Sequence, residues 1–316
     1  MYLQEKEHKL AGMTLHTVET DKYKTNTIVI KFKAPLQEEF VTQRALLPFV
    51  LQSETTKYPS TALLRSYLDE LYGATLNVDL SKKGESHIIT FKMEIANELY
   101  LSDRTPLLLK GIELLSTIIF SPVLEGGAFK TSTVDNEKRS LKQRIQAVYD
   151  DKMRYSNLRL VQEMCKNEPY HLHVNGEIED IEQITSSSLH QYYTKMLAED
   201  EIDMYMIGNF SATDIVSDIT RFFSFENREK QTDNQKRSTK KTEKVNEVIE
   251  KLDVKQGKLN IGYRTNTTFS DPDYDALQVF NGIFGGFSHS KLFLMFVKKK
   301  AWPIMPLQGL KVIKAY

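Results

Sequence analysis

Between Glu226 and Lys244 the chain carries no large apolar side chain. The stretch Glu226-Asn-Arg-Glu-Lys-Gln-Thr-Asp-Asn-Gln-Lys-Arg-Ser-Thr-Lys-Lys-Thr-Glu-Lys is polar or charged throughout. A segment of this kind buries too little surface to offset the entropy of ordering it, so one packed core cannot run through it. Two bodies are expected: a first domain over 1–225, a charged linker over 226–250, and a second unit over 251–316. The basic run Lys236–Lys244 reads as a solvated face. With 42 Lys+Arg against 42 Asp+Glu, the chain has no net field to draw a polyanion or an anionic membrane.

On either side of this segment, side-chain periodicity marks the elements. Ile28, Ile30 and Phe32 alternate, which predicts a strand with one buried face over Thr27–Phe32. Leu64, Leu68 and Leu71 recur at helical spacing over 62–72, and Gly73 supplies a stop. Leu76, Val78 and Leu80, then Ile89, Phe91, Met93 and Ile95, alternate around a polar turn at 82–84, the pattern of a hairpin. Helices are predicted over 106–120, 133–149 and 186–197, and a short strand over 204–207. Past the linker, Lys258–Arg264 reads as a strand and 273–284 as a helix through Leu277, Phe280 and Phe284.

The hydrophobic fraction of 41% supports a sizeable core and a mixed α/β protein. No apolar run approaches the roughly 20 residues of a membrane span, and the first residues lack a signal-peptide pattern, so the chain is expected to be soluble and cytoplasmic. Its single cysteine, Cys165, cannot form an intrachain disulfide or a cysteine-based zinc site and reads as a small buried side chain. His171 and His173 have metal-ligand spacing if extended, but no third ligand lies near them, and a solvent-facing or hydrogen-bonding role is expected. Gly282-Ile-Phe-Gly-Gly follows a helix pattern where a phosphate loop would follow a strand, so it reads as a close-packed turn. Asp150-Asp151 reads as a helix-end acidic pair.

An ordered set of segments gives more than any of these alone. It comprises Lys57-Tyr-Pro-Ser, Leu71-Tyr-Gly-Ala-Thr-Leu-Asn, the helix from Glu137, Glu168-Pro-Tyr, Asn175-Gly-Glu, Tyr192-Tyr, Met206-Ile-Gly-Asn-Phe and Ile283-Phe-Gly-Gly-Phe-Ser-His-Ser-Lys-Leu-Phe. In this order they resemble the insulinase-like zinc peptidases, the family of pitrilysin and the mitochondrial processing peptidase, and within it the non-catalytic YmfF-type bacterial members. The resemblance covers nearly all of residues 10–294. It implies an α+β fold: a mixed, mainly antiparallel sheet with helices on one face, followed by a truncated second domain of the same type.

Active members of that family carry H-x-x-E-H, in which two His one helical turn apart and a distant Glu hold zinc while the motif Glu serves as general base. Counting back from Lys57-Tyr-Pro-Ser places the motif on Ala45-Leu-Leu-Pro-Phe49. By the resemblance, Ala45 and Phe49 stand at the His positions, Pro48 at the base, and Arg144 at the distal ligand, seven residues after Glu137, which matches the family's supporting acid. An insertion around Asn97–Asp103 accommodates the long interval from Phe49 to Arg144. None of these side chains offers a lone pair to a metal, and no His pair at i, i+4 exists elsewhere in the chain. No metal, cofactor or catalytic residue is therefore expected, zinc being expected only in an active partner.

After Leu294 the tail departs from the family pattern. A neighbouring reading frame permits a string resembling the family's second-domain segment, so a frameshift near codon 295 and an aberrant tail from about 295 are expected. The resemblance and the missing ligands together imply a non-catalytic subunit that helps a zinc-bearing homologue, its heterodimer partner, bind and process peptides. Two alternatives are a zinc metalloendopeptidase with unrecognised ligands and a truncated product without activity. Nucleic acid and membrane are not expected partners.

Overall fold

In the computed structural model, residues 3–226, 245–265 and 267–295 are described. The chain divides into two units, one of residues 1–82 and 86–234 and one of residues 83–85 and 235–316. The charged run 227–244 and the tail 296–316, on which the expectations of a linker and an aberrant C-terminal segment mostly fall, lie outside the described residues.

The first unit opens with strands β1 (Glu5–Leu10), β2 (Met13–Glu19) and β3 (Thr25–Pro35), then helices α1 (Val41–Ser53) and α2 (Thr61–Glu70). Strands β4 (Thr75–Lys83) and β5 (Ser86–Ala96) lead to α3 (Leu107–Phe120), a two-residue ladder of β6 (Leu124–Glu125) and β7 (Ala128–Phe129), and the long α4 (Thr131–Asp150). Helices α5 (Lys152–Met164), α6 (Ile178–Ile181) and α7 (Ser186–Glu199), strand β8 (Glu201–Gly208) and α8 (Ala212–Phe222) complete the unit.

Six strands form one sheet in the order β1-β2-β8-β3-β5-β4. β2 and β8 run parallel, with Thr14 opposite Asp203, whereas β1/β2, β8/β3 and β3/β5 are antiparallel. The sheet is therefore mixed and mainly antiparallel. The alternation predicted at Ile28, Ile30 and Phe32 is realised: all three are buried and join Leu15, Ile89, Phe91, Met93, Met204 and Met206 in one core with the apolar stripes of α1, α3, α4 and α7. The opposite face is wetter, with His16 stacked on Tyr205 at 4.5 Å and Lys31 5.0 Å from the same ring. Helices thus cover one face, as period-2 strands with a single apolar side require.

Local chemistry sets the helix ends. Ser60 accepts from the Leu63 amide to cap α2. That helix closes through Gly73 at φ +72°, whose N–H reaches the Asp69 carbonyl while Ala74 N–H reaches Leu68. The Asp150-Asp151 pair does mark a helix end: Asp151 closes α4 and its carboxylate caps α5 through Met153 N and Arg154 N.

The described part of the second unit holds α9 (Tyr274–Asn281), a π-helical turn over Gly282–Gly286 and a short α10 (Lys291–Phe293). Two expectations are corrected here. Lys258–Arg264 is not a strand: the described residues there carry no ladder, and Leu259, Ile261 and Tyr263 are exposed. A period-2 pattern becomes a strand only where a neighbour supplies the hydrogen bonds. The predicted helix 273–284 ends at Asn281, where three glycines in Gly282–Gly286 favour a wider turn. Among the described residues no helix is long and apolar enough to cross a membrane.

Candidate functional site

Helix α1 buries Ala45, Leu46, Leu47, Val50 and Leu51 against the sheet. Ala45 and Phe49 lie one turn apart on it, and Pro48 sits within the helix, where it has no N–H to offer the carbonyl four residues earlier. Helix α4 packs beside α1 and brings Arg144 to Phe49, a sequence separation of 95. The guanidinium carbon lies 3.5 Å from the Phe49 ring centroid, a cation–π contact of roughly 0.5–2 kcal/mol. Two turns earlier on α4, Glu137 Oε1 accepts from Ser53 Oγ at 2.8 Å, and the same hydroxyl lies 2.9 Å from the Phe49 carbonyl oxygen. Phe49, Glu137 and Arg144 therefore form one cluster between α1 and α4.

In this cluster burial of the cation outweighs the pull of its acidic neighbour. Burial pushes the Arg144 pKa below its ordinary value, and Glu137 only partly opposes the shift. Arg144 Nε and Nη2 are buried without a hydrogen-bond partner among the described residues. A divalent metal does not fit here. Ala45, Pro48 and Phe49 have no donor atoms, and a guanidinium repels a dication. Among the described residues no group of three or more His, Cys, Asp or Glu could hold a metal ion.

The other residues singled out in the sequence do not converge on this cluster. His171 Nδ1 lies 2.7 Å from the Glu168 carbonyl oxygen, and His173 Nδ1 accepts from Asn175 N at 3.4 Å, the hydrogen-bonding roles expected of them. Cys165 is buried, as expected. Sequence reasoning missed two buried groups beside α1. One is Arg44, immediately before Ala45, whose only sequence signal is a cation inside an apolar run. The other is His87 on β5, fully buried.

His87 has a pH consequence. Desolvation pulls its pKa down to about 3, helped by Arg44 on α1, Lys82 on β4 and His173 in the loop after α5, and weakly opposed by the Val174 backbone. His173 is shifted down by burial as well. A histidine depressed in the folded state binds its proton first in the unfolded chain. Its contribution is thus complete above about pH 6.5 and is lost as the pH falls toward 3. By pH 5 the loss from His87 is about 2 kcal/mol. Urea unfolding at pH 7 and pH 5 should show that loss in the intact chain and a smaller one in His87→Leu. Equal losses in the two proteins would count against the assignment.

Comparison with known proteins places this geometry in context. Residues 183–304 match the family model described as the peptidase M16 inactive domain, a match that extends past Leu294. Over 302 residues the chain is 56% identical to the Bacillus subtilis protein described as "Probable inactive metalloprotease YmfF", covering 95% of this chain and 70% of that protein. Among solved structures, a conserved protein from Enterococcus faecalis V583 superposes with a TM-score of 0.82 at 29% identity, over 98% of this chain and 73% of that one. A peptidase M16 inactive domain from Pseudomonas fluorescens gives a TM-score of 0.67 at 14% identity, over 99% and 72%, and so shares the fold.

Proposed function

The chain belongs to the peptidase M16, or insulinase-like, family as an inactive metalloprotease homologue, and on that premise we propose that it is a non-catalytic, cytoplasmic, peptide-binding subunit. It contributes half of a peptide chamber to a homologue that bears an intact H-x-x-E-H. Ala45, Pro48, Phe49 and Arg144 take the positions of the two His ligands, the base and the distal ligand. The observation that carries this reading is the Phe49–Arg144 contact. Residues aligned to a second His and a distant Glu by resemblance alone meet between α1 and α4, and neither can serve zinc. The zinc cofactor belongs to the partner.

Peptide binding needs no metal. Among the described residues β4 is the last strand of the sheet, and an edge strand can add an extended peptide of any sequence. This edge lies beside α1, because Gln52 Nε2 donates to the Leu76 carbonyl oxygen at 3.2 Å. A bound peptide along β4 would therefore run past the helix that carries Ala45 and Phe49.

Coexpression with an active homologue tests the proposal. The expected result is copurification, with cleavage of a fluorogenic peptide by the mixture at a rate above that of the homologue alone and none by this chain alone. Failure of the two chains to associate under coexpression would sink the subunit reading.

A further inference from the structure

We propose that Arg144, held against the Phe49 ring, is a receptor for a peptide carboxylate. The inference rests on the peptide-binding reading above and deepens it by naming the ligand chemistry.

The guanidinium spends one of its faces on the ring, at 3.5 Å, but that contact uses none of its N–H donors. Nε and Nη2 are buried and make no hydrogen bond among the described residues, while the side chain as a whole is only half-buried. Nη1 is thus the nitrogen left toward the surface. Glu137, the nearby acid that opposes the shift of Arg144, is instead hydrogen-bonded to Ser53, and no carboxylate among the described residues forms an ion pair with Arg144. A residue kept only for packing on Phe49 would need no charge, because a methionine or leucine fills such a place without desolvating a cation. What this arrangement supplies is positive charge with donors to spare on a rigid aromatic platform.

A carboxylate oxygen can take Nη1 in a charge-assisted hydrogen bond in the plane of the guanidinium. In a peptide-binding protein that carboxylate is either the chain terminus or an Asp or Glu side chain. The ring beneath fixes the plane of the fork, so less side-chain freedom is lost when the ligand arrives.

Fluorescence anisotropy with the intact chain tests this with three labelled decapeptides of otherwise neutral sequence. One ends in a free carboxylate, one is amidated, and one is amidated with a single central Glu. The free carboxylate is expected to bind about tenfold more tightly than the amide. The gap should close in Arg144→Gln and persist in part in Arg144→Lys, which keeps the charge without the fork. Tighter binding of the Glu peptide than of the plain amide would show that side-chain carboxylates are taken as well. Thermal melts establish that Arg144→Gln is folded; if it is not, the partial gap expected for Arg144→Lys reads the same contrast. Equal binding of all three peptides to the unaltered chain, or a gap that survives in folded Arg144→Gln, overturns the carboxylate assignment and leaves peptide binding standing. No binding of any peptide overturns both.

Discussion

Replacing Arg44 by Met is expected to lower the stability of the first unit by about 3–5 kcal/mol, the scale of a buried ion pair broken from one side. Arg44 is 1% exposed. Its Nη2 lies 2.6 Å from Asp200 Oδ2 and donates to the Phe32 carbonyl oxygen at 2.7 Å, and its Nη1 donates to the Tyr192 hydroxyl at 3.0 Å. One side chain therefore ties α1 to β3, to α7 and to the residue that joins α7 to β8. Burial works against its charge, yet Asp200 and Tyr192 hold the guanidinium above its ordinary pKa. Removing the cation takes the guanidinium partner from the buried Asp200 carboxylate, 4% exposed, and the Arg44 donor from the Phe32 carbonyl. Arg44→Met combined with Asp200→Leu should recover much of the loss, since replacing a buried pair by apolar groups is commonly neutral. Urea unfolding of the intact chain measures both variants. A loss below about 1 kcal/mol in Arg44→Met would show that the pair is not the clamp the geometry suggests.

That clamp shows where the sequence is legible and where it stops. Strands with one clean apolar face, such as the one through Ile28, Ile30 and Phe32, announce themselves because burial imposes period 2. Phe49 and Arg144 were singled out by the resemblance alone, and in the fold the two side chains touch. β1, by contrast, is Glu-Lys-Glu-His-Lys-Leu with a burial pattern that is mostly exposed. An edge strand is held by backbone pairing to β2, which leaves no apolar period to read. Helix α5 is similarly quiet because Val161 is its only buried residue. Lys258–Arg264 fails in the opposite direction, with apolar alternation and no ladder. Arg44 and His87 were invisible for a further reason. Whether a polar side chain is buried depends on elements far away in sequence, here Asp200 and the loop carrying His173.

If Ala45, Pro48, Phe49 and Arg144 occupy the family's metal-binding positions, then restoring the donors should restore the metal. The variant Ala45→His, Pro48→Glu, Phe49→His, Arg144→Glu is expected to retain about one zinc per chain after dialysis, against none in the unaltered protein. The backbone requirements are already present. Residues 45 and 49 stand one turn apart on α1, the spacing two imidazoles need to share an ion, and position 144 already reaches the side chain at 49. Removing Pro48 also returns an N–H to the helix. The cost falls at Ala45, which is fully buried; a larger ring there carries an overpacking penalty of about 1–3 kcal/mol, which metal binding must exceed. A three-site variant that keeps Arg144 separates charge from geometry: the guanidinium should hold its zinc content near zero even with both His in place. Elemental analysis of the two variants, with a thermal melt to show that each is folded, decides the matter. A folded four-site variant as empty of zinc as the three-site one would mean that the register placing α4 at the distal ligand is wrong, and with it the origin proposed here for the Phe49–Arg144 pair.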